Sequence, residues 1–539
     1  MANLYEMKNH FMEEEEMRGE DMQYSIGMQT FQSIIERECV YVDKTDLVYL
    51  LAKNHVCFLS RPRRFGKSLL ISTLDAYFSG KKELFHGLKI ENLEKNWEQY
   101  PVFKIDFAVG DYSNPITLQE VIANRLDLWE EKYNIDTKYD TIGLRFLNIL
   151  EQAEVKTGYK AVVLIDEYDK PILDVLGTEM EEKNRNALKE FYSTFKAADA
   201  HLRFVLLTGV TKFSQISVFS GFNQPMDISM DSRFDTICGI TEEELYSYFA
   251  EAITEMAVEM NRTEKEIKNL LKKQYDGYHF SKKMTDVYNP FSILNALSSI
   301  DLRNFWYSSG TPTYLVKLLE GHHVNLQKLL NKTYASDYFA DYRADREDPL
   351  AMLYQSGYLT IKGYDSTRGK YVLDFPNAEV RQGFVTLISG RYFQKNDADY
   401  QNWIWDLDDM LRGCDLEGVR EAFTSFLASI PYEANKDERA KDFETHFSYT
   451  FYLINRLLSC YTTLIEKQNS KGRADIIIET DTDIFIFEFK VDKSAKEALR
   501  QIEEMQYALP YLTDRRKVHK IGVNISSETR TVKEWLVEE

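Results

Sequence analysis

The chain has 539 residues, of which 86 are acidic and 66 basic, so its formal net charge is −20. This length predicts about three domains of ~100–200 residues each. The negative charge argues against a protein that coats nucleic acid, although it leaves room for a local basic groove. The five cysteines form no C-x-x-C pair, and the chain has neither an apolar run of membrane length nor a signal segment at its start. We therefore expect a reduced, cytoplasmic protein without structural zinc or a membrane anchor.

A strand, a tight loop and a helix are predicted in succession over residues 55–78. The apolar run 56–59 is followed by Gly66, Lys67 and Ser68, and apolar side chains then recur at helical spacing. A helix that begins Gly-Lys-Ser after a strand is the geometry of a phosphate-binding loop. Backbone N–H groups and the positive end of the helix dipole would hold the phosphates. Lys67 would reach the β- and γ-phosphates, and Ser68 would ligate Mg²⁺.

One residue departs from the usual phosphate-loop pattern. The pattern G-x-x-x-x-G-K-[ST] begins with glycine, where this chain has Arg61. On residues 65–68 alone, a surface turn that caps an amphipathic helix would explain the sequence equally well. The flanking strand and helix favour the phosphate loop.

An acidic pair follows a second predicted strand about 100 residues later. The continuous apolar run 161–165 ends in Asp166 and Glu167. Buried parallel strands show such runs, and their carboxyl ends open onto the ligand crevice. One acid there can hold Mg²⁺, directly or through water, and the next can polarise the attacking water. The alternative is that both acids merely cap the next helix, but their combination with Gly-Lys-Ser favours nucleotide binding.

A third buried strand is predicted at residues 204–209. It ends near Thr208 and Lys212, where a sensor of the γ-phosphate would lie; the alternative for Lys212 is plain solvation. Strands that alternate with helices predict a doubly wound parallel sheet up to about residue 240. Helices should follow, with a helix and two-stranded wing at residues 350–375 that resembles a winged-helix module. With so few basic residues, such a module is more often an interdomain lid than a DNA reader.

A second acidic site is predicted near the end of the chain, where an amphipathic helix that carries Glu444 precedes a strand pair. If the connecting turn has two residues, Asp475 lies opposite Glu488, and alternation places Glu488 and Lys490 on one face. Two carboxylates roughly 5 Å apart suit a Mg²⁺-activated water, which Lys490 would orient or help to deprotonate. Gln501, on the next helix, can face the same cleft.

Two alternatives to this second site stay open. The strand pair could be a surface hairpin with an exposed Glu/Lys face, although strongly apolar strands with acids at facing positions argue against it. A register slip of one residue would separate the two acids and remove the argument.

The motifs of the first half resemble the bacterial AAA-ATPase-like family over residues 24 to about 300. The resemblance rests on four segments, at residues 41–45, 61–68, 165–171 and 208–212. In that family arginine is the norm at the first loop position, so Arg61 fits the pattern. The resemblance implies a nucleotide-binding set that consists of Arg61, Pro62, Arg63, Arg64, Phe65, Gly66, Lys67, Ser68, Leu69, Thr208 and Lys212. The implied metal ligand and catalytic acid beside them are Asp166 and Glu167.

The C-terminal ~100 residues resemble the PD-(D/E)XK nuclease superfamily, whose domains are commonly fused to such ATPases. Five residues match its motif positions, namely Glu444, Asp475, Glu488, Lys490 and Gln501. Ala474 replaces the proline of the motif, a tolerated variation. The resemblance implies that Asp475 and Glu488 hold Mg²⁺ and that all five residues serve catalysis.

Together these observations predict an α/β protein with a P-loop ATPase parallel-sheet core, a helical and winged-helix-like middle region, and a C-terminal α/β domain of the restriction-endonuclease type. The predicted divisions are a solvated polar leader at 1–27, the ATPase domain at 28–240, the middle region at 241–435 and the nuclease-like domain at 436–539.

The predicted function is binding and hydrolysis of ATP with Mg²⁺, with the nucleotide state controlling a Mg²⁺-dependent nuclease that acts on DNA or RNA. The alternative is a nucleotide-dependent switch whose nuclease-like domain only binds a partner or nucleic acid. A third reading keeps ATP binding without turnover. The sequence leaves open DNA or RNA as substrate, endo- or exonuclease action, and a monomer or a homo-oligomeric ring.

Overall fold

A computed structural model describes residues 23–136, 139–213, 225–309, 314–315, 326–330, 332–342, 349–393, 397–429, 440–461, 465–466 and 476–539. The chain forms two compact units, one from Met1–Val324 with Lys332–Glu379 and the other from Asn325–Asn331 with Val380–Glu539. The finer divisions at residues 27, 240 and 435 remain predictions. Within the described ranges, no helix combines the length and the apolar character that a membrane crossing needs.

A five-stranded parallel sheet forms the core of the first unit, in the order β2-β3-β4-β1-β5. Its strands are β1 (Val56–Ser60), β2 (Val102–Asp106), β3 (Ala161–Asp166), β4 (Leu202–Gly209) and β5 (Met226–Asp227). Every residue of β3 is buried, as expected for a parallel strand covered on both faces. The prediction of a parallel α/β core is confirmed.

Helices pack around this sheet in chain order. They are α1 (Phe31–Glu36), α2 (Thr45–Ala52), α3 (Lys67–Phe78), α4 (Thr117–Lys132), α5 (Ile142–Thr157) and α6 (Glu179–Ala197). Helix α3 begins directly after the β1 loop and buries Leu70, Leu74 and Phe78. Helix α5 ends at Gly158, whose φ of 77° provides the left-handed C-terminal cap that favours glycine.

A helical region follows, as predicted, with α7 (Glu242–Tyr248), α8 (Ala250–Glu259), α9 (Glu264–Tyr275) and α10 (Pro290–Ser299). Thr241 begins α7 with a complete capping box, in which its side chain accepts from the Glu244 N–H and the Glu244 carboxylate accepts from the Thr241 N–H. The four helices share a core that includes Leu245, Ile253 and Leu271.

The predicted helix and two-stranded wing correspond to α11 (Leu350–Gln355), β7 (Thr360–Asp365) and β8 (Lys370–Asp374). A further strand, β6 (Thr333–Ala335), pairs with β8, which gives a small sheet in the order β6-β8-β7. The additional strand distinguishes this module from a simple two-stranded wing.

The second unit contains a five-stranded sheet in the order β13-β12-β11-β10-β9. The strands are β9 (Ile465–Glu466), β10 (Ile476–Glu479), β11 (Asp483–Val491), β12 (Lys517–Ile525) and β13 (Val532–Glu538). The helices are α12 (Ala378–Phe393), which begins in the last residues of the first unit, α13 (Asp397–Arg412), α14 (Leu416–Ser429), α15 (Ala440–Tyr461) and α16 (Ala495–Glu504).

Strand β11 is buried on both faces, which explains its strongly apolar sequence. One face packs on α16, where Ile484 and Ile486 meet Leu499. The other face is aromatic: the Phe489 ring stacks on Phe451 of α15 with the ring centroids 3.7 Å apart. The polar residues at the end of β11 are therefore the exceptions in an otherwise hydrophobic strand.

Candidate functional site

The β1–α3 loop has the backbone of a phosphate-binding loop. Gly66 caps α3 with φ 94°, a left-handed conformation that glycine adopts without strain. Arg64 also has a positive φ, of 68°. The loop encloses the Lys67 ammonium, which donates to the carbonyl oxygens of Arg61 at 3.1 Å and Pro62 at 3.2 Å. The ammonium of Lys67 is thereby held at the helix N-terminus, where phosphate oxygens would bind.

The Arg61 side chain does not line the phosphate pocket. Its guanidinium is buried and donates to the carbonyl oxygens of Ser60, Ser229 and Phe234 at 2.8–3.1 Å. It also stacks over the Phe280 ring, 4.0 Å from the centroid. The backbone of Arg61 takes part in the loop, whereas its side chain ties the loop to the segment after β5.

A pocket of about 410 Å³ opens beside the loop. The pocket is lined by loop residues, namely Arg63, Arg64, Phe65, Gly66, Lys67, Ser68 and Leu69, and by Glu167. Apolar side chains from other segments also line it, among them Ile26, Val42, Ile240, Phe249 and Leu294. A lining that combines phosphate-binding groups with apolar side chains suits a nucleotide, whose base is flat and poorly hydrated.

The acidic pair lies at the carboxyl end of β3, as predicted. Asp166 is buried, and its Oδ1 accepts from Thr208 Oγ1 at 2.5 Å and from the Glu167 N–H at 3.1 Å. Glu167 has φ 53°, and its Oε1 lies 3.8 Å from Lys67 Nζ. This left-handed conformation turns the Glu167 carboxylate into the pocket, beside the lysine. Backbone strain of this kind concentrates at functional sites.

Asp166 also affects a neighbouring carboxylate. Burial raises the pKa of Asp106, and the charge of Asp166 on the adjacent strand raises it further. The oxygen donors of Ser68, Asp166 and Glu167 are the hard ligands that Mg²⁺ prefers, so this donor set fits that ion. Ser68 and Glu167 line the pocket, whereas the buried Asp166 precedes Glu167 in the chain and lies outside the lining.

Asp169 lies within the motif at residues 165–171, and it organises the loop after β4. Its Oδ2 accepts from the Val210 and Thr211 N–H groups at 3.0 and 2.6 Å. Burial, followed by the charge of Glu167, raises the pKa of Asp169 to about 7. Its position two residues after the acidic pair was the only signal in the sequence.

The structure places Lys212 outside the pocket lining. Its ammonium lies 2.9 Å from Asp227 Oδ2 and 2.8 Å from Asp341 Oδ1. Burial opposes the charge of Lys212, but the two carboxylates outweigh it and raise the pKa of the lysine. Of the two predicted sensor residues, therefore, only Thr208 is brought to the acidic pair.

The segment at residues 41–45 borders the pocket and connects it to α7. The Lys44 ammonium bonds both Glu244 oxygens at 2.6–2.7 Å, and Lys44 itself lines the pocket. Burial lowers the pKa of Lys44, with Glu244 opposing that shift. Asp43 accepts from the Thr45 N–H and hydroxyl at 2.9 and 2.6 Å. This motif is thus structural as well as pocket-lining.

A hydrogen-bond relay leads from the phosphate loop to the start of α12. The Arg63 carbonyl accepts from Trp306 Nε1 at 3.2 Å. The Trp306 N–H donates to Glu379 Oε1 at 2.6 Å, and Ser292 Oγ donates to Glu379 Oε2 at 2.8 Å. Burial raises the pKa of Glu379 to about 7. Sequence reasoning missed Ser292, Trp306 and Glu379, because nothing in their spacing brings them together.

The register of the second site is confirmed where the structure describes it. Pairs Ile476↔Phe487 and Glu479↔Ile484 follow the predicted count, and the Thr480 N–H donates to the Asp483 carbonyl at 2.9 Å across a two-residue turn. Asp475 lies outside the described residues, and so does the side chain of Glu444 in α15. The pairing of Asp475 with Glu488 therefore stays a prediction. It extends the observed register by one residue beyond the pair Ile476↔Phe487.

The other three residues of the second site converge. Glu488 is 2% exposed. Lys490 Nζ lies 2.9 Å from Glu488 Oε1 and 2.7 Å from Gln501 Oε1. Glu488 and Lys490 share one face of β11, and Gln501 reaches them from α16. A buried carboxylate with a lysine beside it provides the hard donor and the cation that a Mg²⁺-dependent phosphodiester site requires.

In the first unit, β1 leads into a phosphate loop that carries Lys67. Asp166 ends β3, which is separated from β1 in the sheet by the single strand β4. These features define a P-loop nucleotide-binding protein. Sequence comparison agrees: the family described as "Predicted AAA-ATPase" matches residues 25–219, and the PD-(D/E)XK nuclease superfamily matches residues 442–535.

A protein of Azotobacter chroococcum mcd 1, described as an uncharacterized protein in the vnfD 5′ region, is 34% identical over 521 residues. The match covers 95% of this chain and 98% of that relative. The chain belongs to the AAA-ATPase-like family and carries a C-terminal domain of the PD-(D/E)XK nuclease superfamily. Both resemblances noted in the sequence are confirmed.

Proposed function

We propose that the first unit binds and hydrolyses ATP with Mg²⁺ and that its nucleotide state controls a Mg²⁺-dependent nuclease in the C-terminal domain. The observation that carries the ATPase part is that Lys67 and Glu167 meet in the pocket lining, while Asp166, directly before Glu167, is bonded to Thr208. Lys67 would neutralise phosphate charge, and Glu167 would polarise the attacking water. Ser68 and Asp166 would hold the metal, whose chemistry is to stabilise charge on the phosphates.

The apolar side chains of the pocket lining support a nucleoside triphosphate over a smaller phosphate ligand. The pocket has a volume of about 410 Å³ and is bordered by Phe249 and Leu294 as well as by the loop. Such side chains would pack on the base and exclude water from it.

The proposed nuclease depends on Glu488, Lys490 and Gln501, together with Asp475 and Glu444 at their motif positions. Glu488 and Asp475 would hold Mg²⁺, which supplies an activated water when bound. Lys490 would orient that water, and Gln501 would keep the Lys490 ammonium directed at the site. The substrate class is a phosphodiester of DNA or RNA.

The relay from Arg63 to Glu379 supports control by nucleotide. It joins the phosphate loop to Glu379 in the first turn of α12, and α12 continues into the second unit. A loop that changes with the bound nucleotide would thus act on the helix that leads into the nuclease domain.

The ATPase part is tested with Lys67→Ala, with the exposed Lys82→Ala as a matched control. Lys67→Ala should abolish ATP binding measured by calorimetry, and Lys82→Ala should retain it. Unchanged affinity in Lys67→Ala would refute the site. Glu167→Gln should bind ATP and lose phosphate release, and retained release would remove Glu167 from the catalytic role.

The nuclease part is tested by cleavage of DNA and RNA with Mg²⁺. Glu488→Ala and the equally sized Glu488→Gln should both lose activity, whereas Glu504→Ala, an exposed acid on α16, should keep it. Equal activity in all variants, or none under any nucleotide condition, would defeat the nuclease part. Nucleic-acid binding without cleavage would instead favour the alternative of a nucleotide-dependent switch with a non-catalytic nuclease-like domain.

A further inference from the structure

Three metal-binding side chains meet in the second unit, at the end of β11 away from Glu488. They are Cys414, Asp483 and His519. His519 Nε2 lies 2.7 Å from Asp483 Oδ1 and 3.6 Å from Cys414 Sγ. The donor atoms of all three residues lie within 4.8 Å of one another. Asp483 and Glu488 are five residues apart on one strand, so the cluster is about 16 Å from the proposed nuclease centre.

The sheet fixes two of these side chains. His519 lies on β12 opposite Phe485, and its ring is parallel to the Phe485 ring within 15°, with the centroids 5.1 Å apart. Asp483 is the first residue of β11. Its Oδ2 accepts from Thr482 Oγ1 at 2.6 Å, and its Oδ1 is directed toward His519. Both His519 and Asp483 are buried. Their rotamers are therefore set by packing rather than by a flexible surface.

Cys414 is brought to the pair by a strained turn. It lies between α13 and α14 with φ 52°, a left-handed conformation that a residue with a β-carbon adopts only against steric cost. The turn is closed by hydrogen bonds from the Cys414 N–H to the Leu411 carbonyl and from the Asp415 N–H to the Met410 carbonyl, at 3.2 and 2.9 Å. Strain maintained at a non-glycine residue marks positions where the side chain has a role.

The geometry points to a Zn²⁺ site formed by the Cys414 thiolate, the His519 imidazole and the Asp483 carboxylate. Zinc takes thiolate at about 2.3 Å, imidazole at about 2.0–2.1 Å and carboxylate at about 2.0–2.2 Å in tetrahedral geometry. Those bond lengths place sulfur and nitrogen about 3.5 Å apart, close to the 3.6 Å observed. Nitrogen and oxygen must separate from 2.7 Å to about 3.3 Å, a shift within the reach of a side-chain rotation.

Charge favours this metal, whereas protonation carries a cost that the metal bonds must exceed. Binding would release the thiol proton to solvent and leave the ring proton on His519 Nδ1, which is buried and has no hydrogen-bond partner among the described residues. One thiolate and one carboxylate neutralise Zn²⁺, and Lys517 and Glu539 are the further charges that act on the thiol. The soft sulfur ligand selects zinc over Mg²⁺, so the two sites of this unit take different ions.

Three protein ligands leave the fourth position of the tetrahedron open to water or to an exogenous ligand. Cys414 is only half-buried, so the cluster is not sealed from solvent. His519 is 36 positions from Asp483 and 105 positions from Cys414 in the chain. Because the ligands are so far apart, they form no C-x-x-C motif, and the sequence therefore predicts no structural zinc.

The test uses the full chain, stripped of metal with a chelator and titrated with Zn²⁺ and with Co²⁺ as a spectroscopic substitute. We expect one Zn²⁺ per chain in competition with a chromogenic chelator. With Co²⁺ we expect a thiolate charge-transfer band together with the intense visible bands of tetrahedral cobalt. Cys414→Ser should remove the charge-transfer band and weaken Zn²⁺ binding by more than about 100-fold. Cys460→Ser, a half-buried cysteine of the same unit, should change neither.

Asp483→Asn guards against a folding artefact, because it is isosteric and can still bond His519 while it removes the charge. It should leave the circular dichroism spectrum intact, weaken Zn²⁺ binding and keep the thiolate band at high Co²⁺. Glu488→Gln should leave the band unchanged, since that residue belongs to the other site. Absence of a thiolate band in the wild type, or a band that persists in Cys414→Ser, would overturn the proposal.

Discussion

Gly66 offers a direct test of whether the β1–α3 loop binds phosphate through its backbone. Its φ of 94° lies in the left-handed region, and a β-carbon added to it would meet no atom within 4 Å. Gly158, at the C-terminus of α5, has φ 77° and the same open surroundings. Gly66 lines the pocket, whereas Gly158 does not. The two glycines therefore require the same left-handed backbone conformation and differ only in their location relative to the pocket.

Alanine at either position should cost the first unit about 1–2 kcal/mol of unfolding free energy, because left-handed backbone is disfavoured by that amount in a residue with a β-carbon. No steric clash adds to the cost at either site. Only at Gly66 would relief of the strain turn the amides at the start of α3 away from the phosphates. We expect Gly66→Ala to weaken ATP binding at least tenfold, which corresponds to about 1.4 kcal/mol.

The assay compares urea unfolding and ATP titration calorimetry for wild type, Gly66→Ala and Gly158→Ala. Both variants should lose similar stability, and only Gly66→Ala should lose affinity. Affinities that agree within twofold in the two variants would refute the reasoning, because backbone geometry at Gly66 would then have no bearing on the ligand.

Two further predictions concern charged groups around the site. Burial holds the pKa of Glu379 at about 7, above the ordinary 4.5, so the folded unit binds more protons between those values and stability falls as pH rises through them. Glu379→Gln should remove this dependence, and its urea stability relative to wild type should increase by roughly 2.5 kcal/mol from pH 5 to pH 8; a pH-independent difference would contradict the assignment. Lys212→Met should leave Asp227 and Asp341 without their shared cation and cost about 1–2 kcal/mol in urea unfolding, while ATP affinity in calorimetry stays within twofold of wild type; a tenfold loss of affinity would restore Lys212 as a phosphate sensor.

The parts of the fold that sequence predicted well are those set by local chemistry. The helix after the loop begins at Lys67 and ends at Phe78, because Gly66 supplies the left-handed cap and the apolar spacing is helical throughout. The capping box at Thr241 and Glu244 is local in the same way, since both partners lie within one turn. The β10–β11 register followed from a two-residue turn and strict alternation.

The orientations that sequence could not predict depend on partners far along the chain. The family resemblance implied Arg61 as part of the nucleotide-binding set, but its guanidinium donates instead to the carbonyl oxygens of Ser229 and Phe234. A long cationic side chain near a ligand site has several acceptors within reach. Which acceptor it takes depends on loops that no local pattern positions, and so its identity as a basic residue does not settle its role.

Glu379 is the converse case, a residue to which the sequence assigns no role but which has distant partners in the structure. A single glutamate at the start of a helix is typical of a helix N-terminus and would attract no notice. Its two oxygens, however, accept from Ser292 and from the Trp306 N–H, and the indole of Trp306 donates to the Arg63 carbonyl in the phosphate loop. A shift of that carbonyl must either move Trp306 with it or break the indole hydrogen bond. Because Glu379 is buried, a movement of Trp306 that withdrew its N–H would leave a buried carboxyl oxygen unsatisfied at the first turn of α12, so we expect such a movement to destabilise the start of that helix.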